Sequence, residues 1–183
     1  MNLLHKIALT LIPGVGDILG KKLVSACGSA DAVFTEKKGV LLKVERIGEQ
    51  LANSIIENRS KALELAAREI EFINKYKITA LFYTDEQYPY RLRECIDGPL
   101  MIYFKGNADL NHPKIISIVG TRRATQYGKD FCEKFIEDLK DMDVLIISGL
   151  AYGIDTCAHK SSLESGLNTI AVLAHSLDRI YPP

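Results

Sequence analysis

Glycines and hydroxyls crowd two short segments, Val119-Gly120-Thr121-Arg122 and Ser148-Gly149-Leu150-Ala151-Tyr152-Gly153-Ile154-Asp155, and the first of them ends in an arginine. Glycine lets backbone N–H groups approach an anion closely, and a helix that starts just after such a turn adds the positive end of its dipole. Arg122, next to Thr121, can place a guanidinium fork on a phosphate. Together the two segments read as a phosphate cradle. Any one of these glycines taken alone is equally explained by a tight strand-to-helix turn, so the weight rests on the pair of loops plus Arg122. No G-x-G-x-x-G opens the following helix and no acidic ribose partner is evident, which sets the pattern apart from the dinucleotide fingerprint. Asp155 is expected to cap a helix, and His159 to be a satisfied, partly buried histidine. Asp155 and Asp178 have no evident partner for acid–base work, and sequence order assembles no Ser/His/Asp or Cys/His set. Cys27, Cys95, Cys132 and Cys157 match no metal-ligand spacing and are expected to be buried reduced thiols, so neither metal nor cofactor is expected.

The elements that must hold these loops are legible in the apolar pattern. Ile115 to Val119, Val144 to Ile147 and Thr169 to Leu173 are nearly continuous apolar runs, as expected of parallel strands buried on both faces. Between them lie two helical segments. One carries Phe131, Phe135, Ile136 and Leu139 on its apolar side; the other starts near Asp155 and ends at Gly166. Strand, helix, strand, helix, strand is a doubly wound, Rossmann-like α/β pattern, in which ligands bind outside the carboxyl ends of the strands. Upstream, Ile78 to Tyr83 and Leu100 to Phe104 read as two further short strands.

Residues 1–77 keep a helical period throughout. Leu3, Leu4, Ile7, Leu11 and Ile12 share one face, Pro13-Gly14-Val15-Gly16 breaks the helix, and Asp17 is placed to cap the next one. Val15-Gly16-Asp17-Ile18-Leu19 is echoed by Ile47-Gly48-Glu49-Gln50-Leu51. A long helix follows, with Ile55, Ile56, Ala62, Leu63, Ala66, Ile70 and Ile73 as its stripe. The domain boundary is therefore expected between residues 77 and 78.

Composition narrows the classes. The chain has 183 residues, with 23 Lys+Arg against 23 Asp+Glu, and this zero balance excludes a uniformly basic coat. A nucleic-acid partner thus requires a local basic site. No stretch approaches the roughly 18 apolar residues of a membrane span, and the N-terminus, broken by His5 and Lys6, does not read as a secretory signal.

Several ordered motifs give the chain a resemblance. Ser117-Ile118-Val119-Gly120-Thr121-Arg122, then Ser148 to Asp155 with Ala158-His159, then Leu177-Asp178-Arg179-Ile180-Tyr181-Pro182, resemble the DNA-processing protein A (DprA/Smf) family, as do Tyr88-Pro89-Tyr90-Arg91-Leu92 and Asp97-Gly98-Pro99-Leu100 upstream. The resemblance covers residues 78 to 183 and implies an incomplete Rossmann-like domain, since the family continues past its Tyr-Pro with further strands. It implies a cytoplasmic, non-catalytic, commonly dimeric protein that binds single-stranded DNA without sequence preference and helps load the RecA recombinase during natural transformation. Carried onto this chain, Gly120, Thr121 and Arg122 would hold a DNA phosphate, Ser148, Gly149 and Gly153 would line the same pocket, and Tyr152 could stack a base.

Leu11-Ile12-Pro13-Gly14-Val15-Gly16 resembles a helix-hairpin-helix turn. Gly14, Gly16, Lys21 and Lys22 are therefore candidates for a second DNA contact, with protein-contact scaffolding as the other use of such domains. The alternative function is a nucleotide phosphoribohydrolase-like enzyme that uses the glycine loops to bind a nucleoside monophosphate. The Pro-Gly-Gly-x-Gly-Thr segment and downstream glutamate of such enzymes are absent here. A protein-interaction module is the third class.

Overall fold

The computed structural model describes residues 2–179, so Ile180, Tyr181 and Pro182 of the last motif lie outside the described residues. Two compact units divide the chain between Lys105 and Gly106.

The first unit opens with α1 (Leu3–Thr10), which Asn2 caps by accepting the Leu4 N–H at 3.0 Å, and which buries Ile7, Ala8 and Leu9 completely. Next come α2 (Asp17–Cys27), the one-turn helices α3 (Ala30–Val33) and α4 (Lys38–Leu41), and α5 (Glu49–Tyr76). Ala52, Ile55, Ala62, Ala66 and Ile73 form the buried stripe of α5, while Ile56, Leu63 and Ile70 lie at its partly buried margins. The sequence echo is a backbone repeat. Gly14 and Arg46 both take left-handed φ, +83° and +71°; Val15 and Ile47 are both buried; and Gly16 (φ −90°, ψ −178°) and Gly48 (φ −91°, ψ 178°) cap α2 and α5 in the same conformation. The cap of α2 is thus Gly16, and Asp17 begins the helix.

The expected boundary at residue 77 marks the end of α5, where Lys77 takes a left-handed φ of +53°, but not the edge of the compact unit. Strands β1 (Thr79–Phe82) and β2 (Met101–Phe104) pair antiparallel, and both belong to the first unit. Side chains explain this grouping. The Asp17 carboxylate accepts the Leu100 N–H at 2.7 Å, and the buried Lys6 ammonium pairs with Asp85. The fully buried Tyr88 donates its hydroxyl to the Pro99 carbonyl at 2.5 Å, and one-turn α6 (Tyr90–Arg93) follows it. A change of hydrophobic period signals a change of secondary structure, whereas a compact unit is set by such long-range pairings.

The second unit contains β3 (Ile115–Ser117), α7 (Gln126–Asp138), β4 (Leu145–Gly149), α8 (Ile154–Glu164) and β5 (Thr169–Val172). The three strands are parallel and lie in chain order, β3-β4-β5. Both crossovers therefore progress in the same direction and both helices pack on one face of the sheet. There Cys132, Ile136 and Leu139 of the α7 segment meet Cys157 and Ala158 of α8 over Ile146, with Ile116, Ile118 and Ile154 alongside. The architecture is the expected Rossmann-like α/β class, with helices on one face of the sheet among the described residues.

One expectation for α7 needs correction. Its buried stripe is Cys132, Ile136 and Leu139, while Phe131 and Phe135 are 63% and 39% exposed and stack on each other with centroids 6.3 Å apart. Ile136 and Leu139 are buried as expected, whereas Cys132, roughly 100° around the helix from Phe131, takes the remaining core position.

Candidate nucleic-acid interface

Strands β3 and β4 end side by side, so their following loops must share a small volume. The Ile118 N–H donates to the Ile147 carbonyl at 2.8 Å, and the buried Ser148 hydroxyl donates back to the Ile118 carbonyl at 2.7 Å, tying the two strand ends together. The loops then interlock. A Cβ on Gly120 would lie 2.5 Å from Ile154 Cβ, and one on Gly153, at φ +93°, would lie 2.2 Å from the Thr121 carbonyl oxygen. The Ile154 N–H donates to that same carbonyl at 3.2 Å, and the Thr121 hydroxyl accepts the Arg123 N–H at 3.1 Å.

Beneath the second loop, Asp155 lies in the first turn of α8, whose cap is Gly153, so Asp155 is not the cap itself. Its buried carboxylate comes within 2.6 Å of a Cβ built on Gly149, which only glycine tolerates. His159, one turn on, is buried as expected: Nδ1 meets the Thr169 hydroxyl at 2.7 Å and Nε2 meets the Gly149 carbonyl at 2.6 Å. Both ring nitrogens are thus engaged in holding the end of β4 against the start of β5.

These interlocked loops leave a groove of about 390 Å³ between themselves and the flanks of α7 and α8. Arg122, Arg123, Lys129 and Lys160 line it, with Tyr152, 53% exposed, at the loop end and Glu133 and Glu164 further along. None of the four cations belongs to an ion pair among the described residues. A phosphodiester entering here would meet unneutralised positive charge and an exposed aromatic face. A larger depression of about 650 Å³ along the C-terminal half of α7 carries five carboxylates against two lysines, a lining that repels an anion.

Of the residues singled out in the sequence, Arg122, Tyr152 and Gly153 line the groove, while Gly120, Thr121, Ser148 and Gly149 build the loops behind it. Arg123, Lys129, Thr156, Lys160 and Ser161 also line it and were not singled out. Lys160 and Ser161 lie four and five residues beyond Thr156 on α8, a spacing legible once the helix phase is known.

In the first unit, the Lys21 ammonium donates to the Cys95 and Ile96 carbonyls at 2.9 and 3.3 Å, and Lys22 pairs with Glu45. Gly14 packs against Leu51, and a Cβ on it would lie 2.9 Å from Leu51 Cδ1. Both lysines are thus engaged within the unit, while Gly14 and Gly16 are exposed and Gly16 has open space beside it.

Of the cysteines, Cys132 and Cys157 are buried and Cys27 is half-buried, while Cys95 is exposed against expectation; all four are free thiols. Burial, with the neighbouring Cys157 thiol, pushes the Cys132 thiol up to about 12. No group of three or more metal-binding side chains forms among the described residues, and no described helix is long and apolar enough to cross a membrane.

A parallel α/β unit whose strand-end loops open on a groove lined by four cations and a tyrosine defines a Rossmann-like protein. The family model for DNA recombination-mediator protein A matches residues 79–183, more than half of the chain, and the chain belongs to this DprA/Smf family. It is similar to the DNA processing protein DprA of Streptococcus pneumoniae, at 42% identity over 98 residues, or 54% of this chain and 34% of that protein. Protein Smf of Synechocystis is 32% identical over 184 residues, covering 97% of this chain and 45% of its own length. The X-ray structure of the S. pneumoniae protein matches 98% of this chain and 60% of its own with a TM-score of 0.66 and 27% identity. The chain thus spans about a third to three fifths of the length of these relatives. The name of the S. pneumoniae protein describes DNA processing and that of the family recombination mediation, and neither specifies a catalytic reaction.

Proposed function

We propose that this chain binds single-stranded DNA without sequence preference, seating a backbone phosphate at the mouth of the groove. Arg122 and Arg123 supply the charge there and Tyr152 a stacking face. The observation that carries this reading is the convergence of two arginines from the β3–α7 loop and an exposed tyrosine from the β4–α8 loop on one groove at the strand ends. None of these groups reads a base edge, so the binding is indifferent to sequence. The family name supports a role as a recombination mediator in DNA uptake. Within that role the chain acts in the cytoplasm as part of a homodimer that delivers strands to the RecA recombinase, without catalysing a reaction itself.

Fluorescence anisotropy of a labelled oligothymidine at about 50 and about 200 mM salt tests the binding. Binding that weakens with salt and falls at least tenfold in an Arg122→Ala, Arg123→Ala variant is expected. A variant that binds as the parent does, or an oligonucleotide displaced by an equimolar nucleoside monophosphate, would contradict it.

A further inference from the structure

Charge along the groove is graded. Arg122 and Arg123 stand at the loop end. Lys129 on α7 and Lys160 on α8 come next, and Glu133 and Glu164 lie at the far end, each four residues beyond the lysine of its own helix. The two helices pack against each other and both begin at the strand ends, so the pairs face one another in the same order across the groove. Beyond Glu133 the surface stays acidic, because that residue also borders the depression with five carboxylates.

From this gradient we infer a second phosphate subsite, formed by Lys129 and Lys160, adjoining the arginine subsite at the mouth. Gly153, the cap of α8, and Lys160 within it are seven positions apart, a rise of ~10 Å along the helix, which gives room for two neighbouring phosphates. Thr156, whose hydroxyl donates to the Ala151 carbonyl at 2.6 Å, and the buried Ser161 complete the same wall, so the lysines supply the charge there. Glu133 and Glu164 end the run, since a third phosphate there would meet two carboxylates. The groove therefore grips a short stretch of strand, two phosphates long, and turns the remainder away from α7. This inference rests on the single-strand reading above, and names how much of the strand the site holds and where the strand must leave.

The test compares oligothymidines of increasing length on the full chain. Lys129→Ala with Lys160→Ala is expected to weaken binding at least fivefold and to lower the slope of log affinity against log salt by about 1.4, two contacts at roughly 0.7 each for single strands. Glu133→Gln with Glu164→Gln is expected to tighten binding severalfold, and only for oligonucleotides longer than those that saturate the parent. All five substituted positions line the groove, Glu133 also accepting the buried Cys157 thiol at 3.8 Å, and thermal melts confirm that each variant is folded. Should the lysine variant keep the parental slope while Arg122→Ala weakens binding, the second subsite is overturned and the first stands. Should the glutamine variant bind short and long strands alike, the carboxylate stop is overturned. If the parent chain binds no oligothymidine at all, both readings fall together.

Discussion

At the scale of single residues, the loop glycines and hydroxyls show how one sequence signal can carry two meanings. A glycine and a hydroxyl at a strand end fit a phosphate cradle and fit a tight loop equally well. Geometry separates them: the Ser148 hydroxyl bonds the Ile118 carbonyl, the Thr121 hydroxyl takes the Arg123 N–H, and Gly153 accommodates the Thr121 and Arg122 carbonyls. Sequence could locate these residues in the site region but could not say that they build it instead of touching a ligand, because that depends on a neighbouring loop distant in the chain. Arg122 and Tyr152 were legible because long side chains at such loops reach solvent. Gly153→Ala would combine a left-handed φ with a Cβ 2.2 Å from a carbonyl oxygen. We expect it to cost more than about 2 kcal/mol in urea unfolding. Gly39→Ala, inside α4 with nothing within 4 Å of the new methyl, is expected to stabilise by about 0.5–1 kcal/mol. Equal effects of the two substitutions would contradict the packing described for the loops.

At the scale of elements, the long periodic segments and the continuous apolar runs were legible as elements, but burial on both faces holds for β4 alone: β3 and β5 are partly buried, and Val119 and Val172 are 83% and 64% exposed, because both strands flank β4 in the described sheet. The one-turn helices α3 and α4 were not, because four residues contain a single turn and no period to detect. The expected apolar set of α7 held for Ile136 and Leu139 but not for Phe131 and Phe135, because the small Cys132 takes the core position while the two phenylalanines are exposed. That packing has a chemical consequence. Cys132 meets Cys157 where α7 and α8 touch, and burial raises its thiol from the ordinary 9.0 to about 12. The folded chain then holds this proton more tightly than the unfolded chain. The contribution is complete below about pH 9 and is lost as pH rises toward about 12. The stability difference between the parent and Cys132→Ala, from urea melts at about pH 7 and about pH 10, is therefore expected to shrink at the higher pH. A difference that stays constant would show that the thiol is not held in the protonated form by its surroundings.

At the scale of the whole molecule, neutral net charge and a basic groove are compatible because the positive field is confined to one site and bounded by carboxylates. The two units divide these tasks. In the helical unit Asp17 and Lys21 hydrogen-bond within the unit although Gly14, Gly16 and Asp17 are exposed, while the α/β unit presents four cations outside ion pairs among the described residues. In the proposed complex, single-stranded DNA lies in that groove. Photo-crosslinking of a halogenated deoxyuridine oligonucleotide, followed by peptide mass spectrometry, tests it most directly. Adducts on the peptides that carry Arg122, Arg123 and Tyr152, with Tyr152 itself modified, are the predicted result. Adducts confined to residues 1–105, with none on the groove peptides of a chain that binds the oligonucleotide, would contradict it.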